Sequence, residues 1–155
     1  MDPYDFTINV IQGAGERLLE SARKGFDTGT KGPRDIVTSV DLELSEWIAG
    51  EIRREYPAHG VYSEEEGMIH EGKEYQWTID PIDGSSNFSR GIPHYALCIG
   101  LLYKGSPSVG AVYNPTTREL FSFKRGEGAY LGRKKIRVSR IEELTREHIF
   151  FRAGR

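Results

Sequence analysis

The 155-residue sequence has one cysteine and no long hydrophobic run, and both absences limit what the protein can be. Cys98 cannot form an internal disulfide, which favours a reducing cytoplasm over the disulfide-stabilised secreted proteins. No apolar stretch approaches bilayer-spanning length, and the N-terminus lacks the basic and apolar regions of a signal peptide. The composition, 37% hydrophobic and 11% aromatic, is typical of a globular protein, and we expect one domain over residues 1–155.

The sequence also lacks two histidines at the spacing of zinc ligands, because its four histidines are far apart. The net charge of -2 is unevenly distributed, with -8 over residues 1–123 and +6 over residues 124–155. A basic segment can bind nucleic acid, but few aromatic residues are interleaved with these basic ones. We therefore interpret the segment as a solvated surface and expect neither a nucleic-acid nor a membrane partner.

The most informative segment is W-T-I-D-P-I-D-G-S-S-N-F, residues 77–88. Its first three residues are typical of a buried strand end. Pro81 restricts the backbone of Asp80, so we expect a sharp turn that points Asp80 and Asp83 into one small volume. Two carboxylates that close repel each other unless a cation lies between them. Oxygen ligands on a tight turn suit Mg²⁺, Mn²⁺ or Ca²⁺.

The residues after Asp83 favour an anion. Gly84, Ser85 and Ser86 allow backbone N–H groups to approach a ligand closely, and a helix start there would favour phosphate. Metal ligands beside an anion site indicate metal-assisted phosphate chemistry. The pattern D-P-x-D-G is equally typical of an ordinary turn, so the motif alone leaves both interpretations open.

Two helices are predicted before this segment. The first has Asp2 as a cap and Pro3 at its first position, and fades near Lys24. The second begins near Asp41 and ends at Pro57. Asp41 is either an ordinary helix-start aspartate or a site residue. Apolar residues at helical spacing form the buried faces: Phe6, Val10, Ile11, Ala14, Leu18 and Ala22, then Leu44, Trp47, Ile48 and Ile52.

Residues 27–34 are predicted to form a glycine-rich loop, in which Lys31 is either a lid residue or a solvated lysine. Residues 61–63 are predicted as a strand that leads into Glu64, Glu65 and Glu66. Three adjacent carboxylates usually form a solvated loop, but their position before the Asp80 strand makes one of them a candidate ligand. Residues 67–75 are predicted to be a surface loop.

Strands dominate the remainder. Alternating apolar segments and turn residues predict an antiparallel meander over residues 95–103, 107–113, 119–123, 129–131 and 136–138. The predicted fold class is therefore α+β, with two N-terminal helices packed on a largely antiparallel sheet.

Several separate segments resemble one protein family. They are K-G-P-R-D-I-V-T-S-V-D (31–41), E-E (64–65), D-P-I-D-G-S-S-N-F (80–88), G-I-P-H (91–94), G-E-G-A-Y (126–130) and V-S (138–139). In order and spacing they are similar to the inositol monophosphatase family of Mg²⁺-dependent, lithium-sensitive sugar phosphatases, which includes archaeal-type fructose-1,6-bisphosphatase/inositol monophosphatases. The resemblance covers nearly the whole chain and implies the N-terminal half of the sugar phosphatase fold.

The resemblance implies a set of metal ligands. Glu64, Asp80 and the backbone carbonyl of Ile82 would hold one ion, and Asp80 and Asp83 would hold a second. Glu64 would also help to bind a looser third ion and orient the attacking water. The implied cofactor is Mg²⁺, as two or three ions, with Mn²⁺ as a substitute.

The resemblance also implies residues for water and phosphate. Ser85, supported by Asp41, would orient the nucleophilic water, and the backbone amides of Gly84 and Ser85 would receive the phosphate. Lys31 would lie on a mobile loop that closes over the metals. Ser85 stands where the family usually has threonine, which retains the hydroxyl, and Ser63 stands where glycine is frequent.

The family's chain continues beyond the point that corresponds to residue 155. Its second half supplies an α/β layer, a further aspartate for the second metal and the residues that read the substrate. We therefore expect an uncovered apolar face, and a homo-oligomer such as a dimer, or a complementing C-terminal half, as partner.

The implied function is hydrolysis of inositol monophosphate, or a similar small sugar phosphate, by metal-activated water. Fructose-1,6-bisphosphatase and nucleotide 3′-phosphatase activities are the enzymatic alternatives. A non-catalytic metal- or phosphate-binding half-domain that needs a partner chain is the non-enzymatic alternative.

Overall fold

A computed structural model of the protein describes residues 1–32, 35–72 and 74–140, with side chains at all of these except 31, 32, 35 and 36. The helices of this part are α1 (Pro3–Lys24), α2 (Ser39–Glu55) and α3 (Ser85–Phe88). The strands are β1 (Thr28–Gly32), β2 (Asp35–Thr38), β3 (Gly60–Ser63), β4 (Gly67–His70), β5 (Tyr75–Asp83), β6 (Ala96–Tyr103), β7 (Ser106–Asn114), β8 (Glu119–Lys124), β9 (Gly128–Leu131) and β10 (Lys134–Ile136).

Helix α1 forms where the apolar spacing predicts it. Pro3 occupies the first turn, and the helix buries a face that includes Phe6, Val10 and Leu18. Asp2 is the N-cap residue, as predicted, but its side chain makes no capping hydrogen bond. The Asp2 carboxylate instead lies 3.4 Å from the Lys124 ammonium, so it ties the helix start to β8.

Helix α2 begins with a capping box. The Thr38 hydroxyl accepts from the Asp41 backbone N–H, and the Asp41 carboxylate accepts from the Thr38 backbone N–H at 2.7 Å. The helix buries Leu44, Ile48 and Ile52, as predicted, and ends at Glu55 before Pro57.

Eight strands form one sheet in the order β10-β9-β8-β7-β6-β5-β3-β4. All neighbours are antiparallel except β3 and β5, which are parallel. Helices α1 and α2 pack against one face of this sheet and contact β5, β6 and β7. Because side chains alternate between the faces of a strand, Trp77, Leu97 and Ile99 are buried under the helices. This arrangement confirms the α+β prediction and the meander.

Three local predictions are wrong. Residues 28–32 do not lie in a loop, since β1 pairs with β2 as a separate two-stranded sheet. Residues 67–70 form β4, which pairs with β3. The chain also does not turn at Asp80 and Pro81, because β5 continues to Asp83 through an irregularity in its pairing with β6.

Among the described residues, no helix is both long and apolar enough to cross a membrane. The acids Glu142, Glu143 and Glu147, for which we expect no ligand role, lie outside the described residues.

Candidate metal and phosphate site

A bulge in β5 turns two aspartates toward the same side of the sheet. Residues three apart in a regular strand point to opposite faces. Here Asp80 pairs with Cys98, whereas Asp83 pairs with Ala96, so β5 has one extra residue between the two pairs. The extra residue reverses the alternation, and Ile82 is buried while Asp80 and Asp83 come together. The expected convergence is therefore achieved by a bulge rather than by a turn.

Cys98 joins these aspartates. One oxygen each of Asp80 and Asp83 and the Cys98 sulfur all lie within 4.8 Å of one another, and we name these three residues the donor cluster. The sequence analysis did not identify Cys98 as a site residue, because its position opposite Asp80 depends on strand register. The signal available was a single cysteine in the strand that follows the D-P-I-D segment.

Negative charge accumulates at the donor cluster. Burial first, and then the neighbouring carboxylates of Glu64, Asp83 and Glu65, together raise the pKa of the Asp80 carboxyl to about 7. Burial, and then Asp80, Asp83 and Glu64, raises the pKa of the Cys98 thiol to about 12. Among the described residues, no lysine or arginine forms an ion pair with the cluster. A bound divalent cation would supply the missing positive charge.

Glu64 is held beside Asp80 by the parallel pairing of β3 and β5. Its backbone N–H donates to the Ile79 carbonyl at 2.9 Å, one residue beyond the last β3–β5 pair. After burial, its carboxylate is the largest cause of the raised pKa of Asp80. The Glu66 carboxylate, by contrast, accepts from the Ser45 hydroxyl of α2 at 2.5 Å. Of the three consecutive glutamates, Glu64 is therefore the one whose carboxylate affects the pKa of Asp80 most.

Ser85 and Asp41 form a second polar group in contact with the first. The Ser85 hydroxyl lies 2.9 Å from an Asp41 carboxylate oxygen and 2.8 Å from the Ile82 carbonyl oxygen. Asp41 is fully buried, and its other oxygen accepts from Thr38. Asp41 therefore caps α2 and also accepts from Ser85, while its role in a functional site stays a prediction.

Gly84 sets the direction of the chain after Asp83. It has φ 93° and ψ 35°, in the left-handed region, and an added Cβ would lie 3.1 Å from the His94 carbonyl oxygen. Helix α3 begins at Ser85, directly after it. Because the first N–H groups of a helix have no partner within it, the backbone here can donate to a ligand.

Lys31 belongs to β1, whose backbone pairs with β2. Its side chain lies outside the described residues, so its expected place above the site stays a prediction.

Two cavities adjoin the donor cluster. A cavity of about 760 Å³ opens over the sheet face opposite the helices, and Glu64, Asp80 and Cys98 line it together with Val112, Phe121 and Phe123. A smaller cavity of about 400 Å³ has a more polar lining that includes Asp83, Gly84, Asn87, His94, Asn114 and Glu119. The two aspartates thus line different cavities, which gives a small anionic ligand two approaches to the cluster.

Comparison with known proteins gives one family. The inositol monophosphatase family matches residues 2–153. Nus factor SuhB of Vibrio cholerae is 42% identical over 144 residues, which cover 90% of this chain and 54% of that protein. Inositol monophosphatase 3 of Solanum lycopersicum is 34% identical over 154 residues, which cover 97% and 58%. The chain thus spans about half the length of these curated relatives.

A solved structure agrees with the fold. The inositol monophosphatase of Thermotoga maritima superposes with a TM-score of 0.84 at 33% sequence identity, over 90% of this chain and 55% of that one. The two helices and the mostly antiparallel sheet therefore correspond to about half of a larger fold. The chain belongs to the inositol monophosphatase family, a family of metal-dependent phosphatases.

Proposed function

We propose that this protein hydrolyses the phosphate monoester of a small sugar phosphate, with inositol monophosphate as the first candidate, and that Mg²⁺ is its cofactor. The observation that carries the proposal is the convergence of Asp80 and Asp83, without a paired cation among the described residues. The Glu64 carboxylate lies near enough to raise the pKa of Asp80, and the Ser85 hydroxyl accompanies them on the same segment. Carboxylates that raise one another's pKa are suited to a hard divalent ion. Two or three ions of Mg²⁺, or Mn²⁺ in its place, would bind here.

In this proposal Asp80 contributes to two ion sites. Glu64, Asp80 and the Ile82 carbonyl would hold one ion, and Asp80 and Asp83 the second. The Ile82 carbonyl already accepts from Ser85, but a carbonyl oxygen has two lone pairs and can accept a second partner. When bound, the ions would neutralise the substrate's negative charge and lower the pKa of the attacking water.

Ser85 would orient that water through one hydroxyl. The hydroxyl has a single proton and faces two acceptors, Asp41 and the Ile82 carbonyl. If the carbonyl turns to an ion, the proton remains directed to Asp41, and the free lone pairs of Ser85 accept from the water. Glu64 would hold the other side of the water, while the Gly84 and Ser85 amides would receive the phosphate. Lys31 would act from the β1–β2 hairpin.

These residues would bind phosphate and metal, so they do not specify the alcohol portion of the substrate. Fructose-1,6-bisphosphatase or nucleotide 3′-phosphatase activity therefore remains the enzymatic alternative. The SuhB relatives bear the name Nus factor, which is not an enzyme name. The expectation that nucleic acid is not a partner therefore has no support from these relatives.

A second candidate is a metal- or phosphate-binding half-domain without turnover of its own. It is favoured by the exposure of Val112 and Phe121, each 42% exposed on the sheet face above the cluster, and by the relatives' greater length. In this version a second copy of the chain, or a complementing C-terminal half, would cover that face and complete the second ion site.

Phosphate release from inositol 1-phosphate by the purified protein tests the proposal, with Mg²⁺ and then with EDTA. Turnover that requires Mg²⁺ and is inhibited by lithium supports the enzymatic function. Absence of turnover, together with Mn²⁺ binding measured by calorimetry, supports the half-domain instead. Turnover that persists in EDTA would show that the carboxylates have another role.

A further inference from the structure

We propose that Cys98 is a ligand for thiophilic divalent ions, of which Zn²⁺ and Cd²⁺ are the examples, at the site formed with Asp80 and Asp83. The inference rests on the proposed function in that it uses the same two aspartates as metal ligands. It goes further because it assigns a soft donor to a site otherwise made of hard oxygen atoms, and so predicts which ions compete there.

The strand register places the sulfur at the site. Cys98 of β6 is the direct partner of Asp80 of β5, and directly opposed residues of paired strands project to the same face. The sulfur lies within 4.8 Å of an oxygen of each aspartate. Donors on one tetrahedral zinc ion lie roughly 3.6 Å apart, given metal–sulfur and metal–oxygen distances of about 2.3 and 2.1 Å. Small side-chain rotations would therefore bring all three donors onto one ion.

The surroundings favour a cation and allow it to enter. The Glu64 carboxylate adds negative charge beside the three donors, and among the described residues no lysine or arginine forms an ion pair with them. The 760 Å³ cavity opens onto Glu64, Asp80 and Cys98, which leaves room for the ion and a water molecule. Zinc accepts cysteine and carboxylate ligands together, whereas Mg²⁺ accepts oxygen ligands and has little affinity for sulfur.

The binding step is a simple exchange of a proton for a metal bond. The Sγ–H bond breaks, the proton passes to solvent, and the sulfur electron pair forms the bond to the ion, with no change of oxidation state. Mg²⁺ has little affinity for sulfur, so soft ions would compete with it best at a site that includes the Cys98 sulfur.

The test is a titration of the purified protein with Cd²⁺, followed by the ultraviolet charge-transfer band of the sulfur–cadmium bond. Because the chain has one cysteine, any such band reports Cys98. We expect the band to saturate at one ion per chain and to be absent from Cys98→Ser. The affinity of Cys98→Ser for Cd²⁺ should fall by at least about tenfold, since loss even of an outer-shell partner weakens metal binding by 10–100-fold. Its affinity for Mg²⁺ should fall by much less.

A displaced thiol is the matched control. Ser106→Cys in the Cys98→Ser background keeps one half-buried thiol per chain, at the start of β7 and away from the cluster. It should give no band at Cd²⁺ concentrations that saturate the wild type, whereas Asp83→Asn should weaken the wild-type band. An equal band from the displaced thiol, or a wild-type band unaffected by Asp83→Asn, would overturn the inference.

The failure of this inference can be separated from failure of the proposed function. If Mn²⁺ binds in an Asp83-dependent manner but Cd²⁺ gives no band in the wild type, the Cys98 inference is wrong and the metal site stands. If neither ion binds, both are wrong. Circular dichroism checks that the variants fold, and should Cys98→Ser be unfolded, the wild-type band and its response to Asp83→Asn decide the question.

Discussion

The two faces of the eight-stranded sheet differ in what covers them and in what they expose. On the helix-covered face, Trp77 and Leu97 are completely buried beneath α1 and α2. On the opposite face, Val112 and Phe121 are each 42% exposed, and the donor cluster lies at the edge of the same surface. The same strands build both faces, since alternate residues of β5 and β6 point in opposite directions.

Because of this difference, alternate residues of a single strand serve either the stability of the core or the candidate site. In β6, Leu97 and Ile99 lie in the core while Cys98, between them, faces the carboxylates. In β5 the bulge allows two charged residues on one side without burying either under the helices. We therefore expect changes on the covered face to affect folding, and changes on the open face to affect ion binding and turnover.

The largest expected effect is loss of turnover in Asp83→Asn. The substitution removes one anionic ligand from an exposed position at the end of β5, so Mg²⁺-dependent phosphate release should fall by roughly 100-fold or more. The free energy of unfolding should change little, because the side chain is not packed in the core. Initial rates with saturating Mg²⁺ and urea unfolding by circular dichroism measure the two quantities.

Asp5→Asn is the matched control for Asp83→Asn. It makes the same chemical change at an exposed aspartate in the first turn of α1, on the covered side of the sheet. Its turnover should equal that of the wild type. Normal turnover in Asp83→Asn would contradict the ligand assignment, and equal losses in both variants would indicate a non-specific effect of charge.

The second prediction compares neighbouring residues on opposite faces. Leu97→Ala should reduce the free energy of unfolding by roughly 2–5 kcal/mol, because it leaves a cavity beneath the helices. Val112→Ala, in the adjacent strand on the open face, should reduce it by less than about 1 kcal/mol. Urea unfolding measures both. Similar losses would mean that the open face is packed as tightly as the covered one, for example by self-association.

Local patterns in the sequence predicted most of the elements. Helical spacing gave α1 and α2, and turn residues between apolar runs gave the meander, because these signals act over a few residues. Strands β1 and β4 were predicted to be loops, since their glycine and polar residues are typical of turns. Each pairs with the strand next to it in the sequence, and this pairing, which the turn-like composition does not reveal, decided its structure.

The candidate site was also predicted only in part, again because some of its features depend on strand pairing. The D-P-I-D segment and its family resemblance identified Asp80, Asp83 and Glu64 as neighbours in advance. The bulge that brings them together was not predicted, because a bulge is a property of two strands. Cys98 was missed for the same reason, since only register with Asp80 distinguishes it from the apolar residues beside it.

The third prediction concerns two helical glycines. At Gly15 an added Cβ would lie 2.5 Å from the Tyr113 ring, where α1 packs closely on β7. Gly15→Ala should therefore destabilise the protein by roughly 1–3 kcal/mol through overpacking. At Gly50 of α2 an added Cβ meets nothing within 4 Å, so Gly50→Ala should stabilise it by about 0.5–1 kcal/mol. Thermal unfolding distinguishes them, and two shifts of the same sign would contradict the close contact of α1 with the sheet.

The smallest expected effect is a gain of stability in Asp80→Asn without divalent ions. The folded-state pKa of Asp80 is raised from 3.8 to about 7, chiefly by burial and then by Glu64. The folded protein therefore binds the proton more tightly than the unfolded chain. The contribution of Asp80 to stability is most favourable below pH 4 and is lost as the pH rises to about 7. At pH 8 the amide removes an unfavourable buried charge, and we expect a gain on the order of 1 kcal/mol after allowance for solvent screening.

The pH and metal dependence of this gain test its cause. In urea unfolding the advantage of Asp80→Asn should shrink between pH 8 and pH 4, because the wild-type carboxyl takes up its proton over that range. Saturating Mg²⁺ should reverse the advantage, since an ion bound to the folded wild type stabilises it and the amide is a poorer ligand. A gain that is independent of both pH and Mg²⁺ would show that side-chain packing rather than charge is responsible. Asp80, the carboxylate shared by both proposed ion sites, is thus the residue whose charge destabilises the folded protein when no ion is bound.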